Sequence, residues 1–153
     1  MKKLILIFAG VFALGFLNAQ TLNDKGLYID SEGGLFSGTI SQTQNNTKSQ
    51  FSVKEGVIEG EASYFYASGK LMELGYFSKG QKDQKWTRYS ENGSVIAIAF
   101  YTLGKKSGTW LVFDEKGKKR FEMNYNDGQK SGIWTSWDEN GEMLSTVDYT
   151  KVN

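Results

Sequence analysis

The sequence predicts an all-β protein: an elongated antiparallel sheet of tandem 24-residue β-hairpins. Three features lead there. The phrase Gly-x-Lys-Ser-Gly-x-Trp runs from Gly104 to Trp110 and again from Gly128 to Trp134, and a fixed offset of that size marks a repeat architecture. Eighteen glycines and 22 aromatic residues among 153 positions describe many short strands separated by turns. No stretch after the first 19 residues carries a helical period.

Met1 to Ala19 reads as an export signal. Lys2 and Lys3 precede an apolar run of 14 residues, Leu4 to Leu17, and Leu17-Asn18-Ala19 sets a small residue before a cut that leaves Gln20 first. A membrane-spanning helix needs about 20 apolar residues, more than this run supplies. Cleavage near Ala19-Gln20 places the mature chain in the periplasm, on the outer surface or outside the cell. The absence of cysteine excludes disulfides and a lipid-anchored cysteine, so packing alone must hold the fold. Losing two lysines changes 18 basic and 17 acidic side chains to 16 and 17, a net charge of −1 that argues against a nucleic-acid partner.

Residues 20–33 form a lead, polar at first, with Leu27-Tyr28-Ile29 as a strand and Ser31 to Gly34 as its turn. Residues 34–55 form a degenerate repeat in which Leu35 to Gln42 pairs with Gln50 to Lys54. The polar stretch between them, Thr43 to Ser49, is expected to be a mobile tip. Residues 56–153 hold four units in strict register. Gly56, Gly80, Gly104 and Gly128 open them, and Gly60, Gln84, Gly108 and Gly132 follow four positions later. Ala62, Trp86, Trp110 and Trp134 form one column; Phe65, Tyr89, Phe113 and Trp137 form a second. Gly69, Gly93, Gly117 and Gly141 form a glycine column, and Phe77, Tyr101, Tyr125 and Tyr149 close the units.

Each unit reads as two strands. The first is short, Gly108 to Phe113 for example, and Asp114 to Gly117 is a turn whose glycine takes positive φ at little cost. In the second strand Arg120, Glu122 and Asn124 alternate with Phe121, Met123 and Tyr125, which gives one wet face and one apolar face. Val95 to Tyr101 is apolar on both faces and is expected to be covered on both. Two strands per unit give a rise of about 10 Å per repeat.

The pattern G-x-W-x-x-Y/F-x-x-x-G, followed by a second strand ending Y-x-x-G, resembles the MORN repeat (membrane occupation and recognition nexus). It is most similar to the YwqK-like, antitoxin-labelled branch of the MORN variants, which the LFSG at Leu35 to Gly38 also resembles. The resemblance covers Gly56 to Tyr149. It implies a grooved sheet of β-hairpins without catalysis, serving protein scaffolding, lipid contact or toxin neutralisation. Gln84 in place of glycine, Ala62 in place of tryptophan and the interrupted first unit depart from the pattern and bear on the groove's N-terminal end.

Composition narrows the chemistry further. Without histidine or cysteine the commonest general base, the thiol nucleophile and the usual zinc ligands are missing. No serine sits in a Gly-x-Ser-x-Gly elbow. Asp138 to Glu142 sets oxygen ligands beside a turn glycine but lacks the spacing of a calcium loop. No enzyme activity and no cofactor are expected.

A binding surface remains. The residues that would make it are Trp86, Tyr89, Tyr101, Trp110, Phe113, Tyr125, Trp134 and Trp137. Trp and its aromatic partner stand three apart, as in Trp134 and Trp137, so the two columns fall on opposite faces and one should be less buried. Charge repeats in register as well. Lys82, Lys106 and Lys130 recur at the connections, and Glu91, Glu115 and Glu139 recur at the hairpin turns, predicting a basic edge and an acidic edge. The expected partner is a protein, either an envelope protein or a toxin, with weak contact to anionic lipid at about 1 kcal/mol per lysine.

Overall fold

The computed structural model describes residues 20–150; the export signal read at Met1 to Ala19 lies outside them. All regular structure among the described residues is strand. A two-stranded lead, β1 (Thr21–Leu22) and β2 (Tyr28–Ile29), precedes one ten-stranded antiparallel sheet. That sheet runs in chain order: β3 (Gly38–Gln44), β4 (Thr47–Lys54), β5 (Val57–Phe65), β6 (Leu71–Ser78) and β7 (Gln81–Tyr89). It continues through β8 (Val95–Thr102), β9 (Lys105–Phe113), β10 (Lys119–Asn126), β11 (Gln129–Trp137) and β12 (Met143–Asp148). The predicted architecture is the observed one, a sheet of tandem hairpins.

Two kinds of turn join the strands, one at each end. At the first end, Glu55-Gly56, Lys79-Gly80, Leu103-Gly104 and Asp127-Gly128 form two-residue turns. Their first residue has φ between 45° and 52°, and their glycine has φ between 74° and 84°. Positive φ at both positions matches the twist of the flanking strands, which is why glycine recurs at the second. At the other end Asp114 Oδ1 accepts the amides of Lys116 at 3.0 Å and Lys118 at 2.9 Å, and Asp138 Oδ1 those of Asn140 and Glu142, both at 2.8 Å. Asn23 and Asp30 close the two turns of the lead in the same way.

Four expectations need correction. Thr43 to Ser49 is not a loose tip: β3 and β4 continue to Asn45-Asn46, both at positive φ, and the hairpin closes in two residues. Asparagine tolerates that backbone region, and the polar side chains on either side suit strands with little covered surface. The first strand of a unit is longer than read, because Gly60, Gly108 and Gly132 lie inside β5, β9 and β11 rather than at their start. The polar start of the lead contains β1, which pairs with β2. Lastly, β8 is half-exposed along most of its length, because among the described residues the sheet is a single layer there.

The core sits at the N-terminal end, on one face. Ile40, Phe51, Val53, Ala62 and Trp86 are buried, and Ile40, Phe51 and Ala62 are direct cross-strand neighbours. The lead folds onto this end. Tyr28 lies 5.8 Å from the Phe51 ring, its amide donates to the Gly56 carbonyl, and the Gly56 amide donates to the Phe36 carbonyl. Ala62, in the tryptophan column, is fully buried: its cross-strand neighbours are Phe51 and Gly75, the second of which lies under the Trp86 ring.

Candidate functional site

The G-x-W phrase is a single device. At each junction between units the incoming strand carries two residues more than its partner. Leu74 pairs with Thr87 and Tyr76 with Asp83; Ile98 pairs with Leu111 and Phe100 with Ser107; Glu122 pairs with Thr135 and Asn124 with Ser131. With the same bulge where Phe51 pairs with Ala62 and Val53 with Ile58, four such bulges hold Gly60, Gln84, Gly108 and Gly132, with φ of 103°, 58°, 62° and 60°. A bulge interrupts the ladder, and a polar group left there needs another partner. The tryptophan two residues on supplies it: the indole N–H of Trp86, Trp110 and Trp134 donates to the carbonyls of Tyr76, Phe100 and Asn124 at 3.1, 2.9 and 2.9 Å.

Each indole is thereby tied to the neighbouring strand, and the rings join. Phe77, Trp86, Tyr101, Trp110, Tyr125, Trp134 and Tyr149 form a continuous chain with centroids 5.0 to 6.4 Å apart in tilted or edge-on contact. Such pairs stabilise by roughly 0.5–1.5 kcal/mol each beyond the area they cover. Trp86 is 1% exposed because its ring lies over Gly75, where any Cβ would fall inside the indole. One and two repeats on, the Gly75 position carries Ala99 and Met123, and Trp110 and Trp134 remain half-exposed.

Lysines cover the rings. Lys82 Nζ stands 3.6 Å from the Trp86 ring; Lys106 is 4.5 Å from Trp110 and 4.8 Å from Tyr125; Lys130 is 4.5 Å from Trp134 and 4.9 Å from Tyr149. The basic ladder is therefore part of the tryptophan face, near its connection end, and does not form a separate edge. Cation–π attraction turns these ammonium groups inward. Glu91, Glu115 and Glu139 lie exposed at the opposite, turn end, but Lys116 and Lys118 share the Glu115 turn, so that edge is mixed in charge.

Lys82 differs from the other two. It reaches Glu73 at 3.4 Å, while Lys106 and Lys130 have no carboxylate within ion-pair distance among the described residues. Burial raises the phenols of Tyr64 and Tyr101 above the ordinary tyrosine value, and the Glu73 charge raises them further.

Of the eight binding residues read from the sequence, five meet on this face: Trp86, Tyr101, Trp110, Tyr125 and Trp134. Tyr89, Phe113 and Trp137 fall on the other face, as strand alternation requires. There Lys119, the cross-strand partner of Phe113, stands 4.3 Å from the Trp137 ring. Ala62 and Trp86 of the tryptophan column are buried and Trp110 and Trp134 half-exposed, whereas all four residues of the Phe65–Trp137 column are half-exposed, so that second column is the less buried, as expected. Sequence reasoning left Phe77 and Tyr149 out of the surface although they share a column with Tyr101 and Tyr125, and it missed Glu73. The signal for Glu73 was a lone carboxylate in the apolar run Leu71 to Phe77. A shallow depression at the turn end is lined by Tyr66, Ile96 and Phe113 with Ser90, Glu91, Asp114 and Glu115. The oxygen-rich turn at Asp138 has its Oδ1 occupied by two backbone amides.

Residues 58–79, 106–127 and 130–151 match the MORN repeat variant. The unmatched unit between the first two segments is the one with Gln84 in the glycine column. MORN repeats are in general non-catalytic interaction modules for protein or lipid. No curated protein matches the chain. Among solved structures, the crystal structure of accessory secretory protein 1,2 and 3 in Streptococcus pneumoniae is similar at 18% identity and a TM-score of 0.38, covering 80% of this chain and 22% of that one.

Proposed function

We propose that this MORN-variant protein is an exported, non-catalytic module whose tryptophan face docks another protein of the cell envelope. One observation carries the reading: Trp110, Tyr125 and Trp134 form a half-exposed ring chain overlaid by two lysines without acidic partners among the described residues. A rigid aromatic surface with cations at its margin is the composition of an interface anchor. The leader at Met1 to Ala19 supports the location outside the inner membrane.

Capture from the envelope fraction tests this. The wild-type protein is expected to retain a partner that the double variant W110A/W134A loses and that W137A, altered on the opposite face, keeps. The purified partner should then bind the wild-type protein directly. Equal capture by all three proteins would overturn the reading. In the YwqK-like, antitoxin version the docked protein is a toxin acting beyond the inner membrane, and the same double variant should lose neutralisation. In the lipid version the lysines contact an anionic surface, and binding to vesicles should weaken as salt rises.

A further inference from the structure

We propose that the tryptophan face takes an acidic polypeptide segment in the polyproline II conformation, with a carboxylate every third residue, one seated on each of Lys106 and Lys130. The inference rests on the reading of this face as a docking surface and names the chemistry of what docks. Its template is inside the protein. In the second unit the Lys82 ammonium lies over Trp86 and reaches the Glu73 carboxylate at 3.4 Å. A carboxylate thus already completes the lysine–indole pair once, from the neighbouring strand β6.

One repeat further on, the Glu73 position is Ala97, and two repeats on it is Phe121. Lys106 stands between Trp110 and Tyr125, and Lys130 between Trp134 and Tyr149, whose hydroxyl it reaches at 3.2 Å; neither meets an acid among the described residues. The missing groups are two carboxylates one unit apart. Two antiparallel strands separate the lysines by about 9.6 Å. A polyproline II segment rises about 3.1 Å per residue with three residues per turn, so same-face side chains recur at about 9.3 Å. An extended strand presents same-face side chains at about 6.8 Å or twice that, out of step with the lysines. Aromatic grooves also favour polyproline II because it is preformed and leaves its backbone solvated.

Fluorescence anisotropy with labelled peptides on the purified protein tests the proposal. A peptide of six Glu-Pro-Pro repeats is expected to bind at low salt. A Lys-Pro-Pro peptide should not bind, and a Glu-Pro-Pro-Pro peptide, with its carboxylates out of step, should bind at least fivefold more weakly. K106Q/K130Q should lower affinity at least tenfold. Ala97→Glu, which gives Lys106 an internal carboxylate as Glu73 gives Lys82, should lower it about fivefold while circular dichroism stays unchanged. If the double lysine variant fails to fold, A97E and the peptide register decide the matter.

Failure of the acidic peptide to bind overturns the proposal, as does binding indifferent to A97E. Lysine-dependent binding to phosphatidylglycerol vesicles without peptide binding also overturns it, in favour of lipid. If partner capture still depends on Trp110 and Trp134 while the acidic peptide is ignored, the docking face stands and the acidic ligand falls. Loss of both dependences removes both.

Discussion

Gln84 is where the repeat and the backbone disagree. It holds φ of 58° in a bulge where Gly60, Gly108 and Gly132 hold positive φ without a side chain. An L-residue in that region costs roughly 1–2 kcal/mol, of which glycine returns roughly 0.5–1 kcal/mol as unfolded-state entropy. The Gln84 side chain is exposed and makes no hydrogen bond among the described residues, so it offers little in exchange. Q84G is therefore expected to raise the urea midpoint by an amount equivalent to about 0.5–1 kcal/mol at unchanged slope. A lower midpoint would mean that the glutamine side chain contributes something the geometry hides. The sequence marked Gln84 as a departure but not as strain, because a missing glycine shows only once its φ is known. Gly75 was silent altogether: it lies inside a strand, in no glycine column, and its purpose is the Trp86 ring above it.

At the scale of the hairpin, the columns were visible in the letters and the bulge was not. Glycine, then tryptophan two residues later, reads as the start of a strand with a ring on one face. The structure makes it a bulge together with the indole that satisfies the interrupted carbonyl. Face assignment survived because the bulge adds two residues and so preserves strand alternation. The lysines stand at the connection end where their spacing put them, but their turn onto the rings was not legible, because spacing sets where a lysine leaves the backbone, not which way a long side chain bends. The opposite turns were legible from their acid-x-x-glycine form, and they carry a pH dependence. The Glu142 amide first, and then the Asn140 and Gly141 amides, hold the Asp138 carboxyl below its ordinary value of 3.8. A depressed carboxyl contributes order above its ordinary value and loses it as pH falls through the lower folded value. The β11–β12 turn should therefore stay intact at pH 4 and loosen only well below 3.8. Amide chemical shifts of Asn140 and Glu142 followed through an acid titration report this directly. D138N, which keeps an acceptor oxygen and removes the charge, should flatten the curve. Amides titrating at 3.8 or above would contradict it.

Across the whole molecule one face changes character from end to end, and the departures in the repeat are the cause. Along the lysine column Phe36 and Ile58 give way to Lys82, Lys106 and Lys130; along the tryptophan column Ile40 and Ala62 give way to Trp86, Trp110 and Trp134. The N-terminal units looked weakened when measured against the repeat. They are the buried end, covered by the lead, while every residue of β12 is exposed. Stability in a repeat array is close to a sum of neighbouring interfaces, so it should be graded along the sheet. Deleting residues 20–36 uncovers Ile40, Phe51 and Val53 and removes the Tyr28–Phe51 contact. At roughly 1.5–3 kcal/mol per large apolar side chain returned to water, part of it for each of three residues, the loss is on the order of 3 kcal/mol. Ending the chain after Trp137 removes β12 and the Tyr149 ring from Trp134. That strand contributes little buried surface, and the loss should be on the order of 1 kcal/mol. Urea melts of the two truncations, with hydrogen exchange on the intact protein to place the protected amides in β4 to β7, measure the gradient. Equal losses from both ends would mean that the aromatic chain carries stability evenly, and that the covered end is no more a core than the open one.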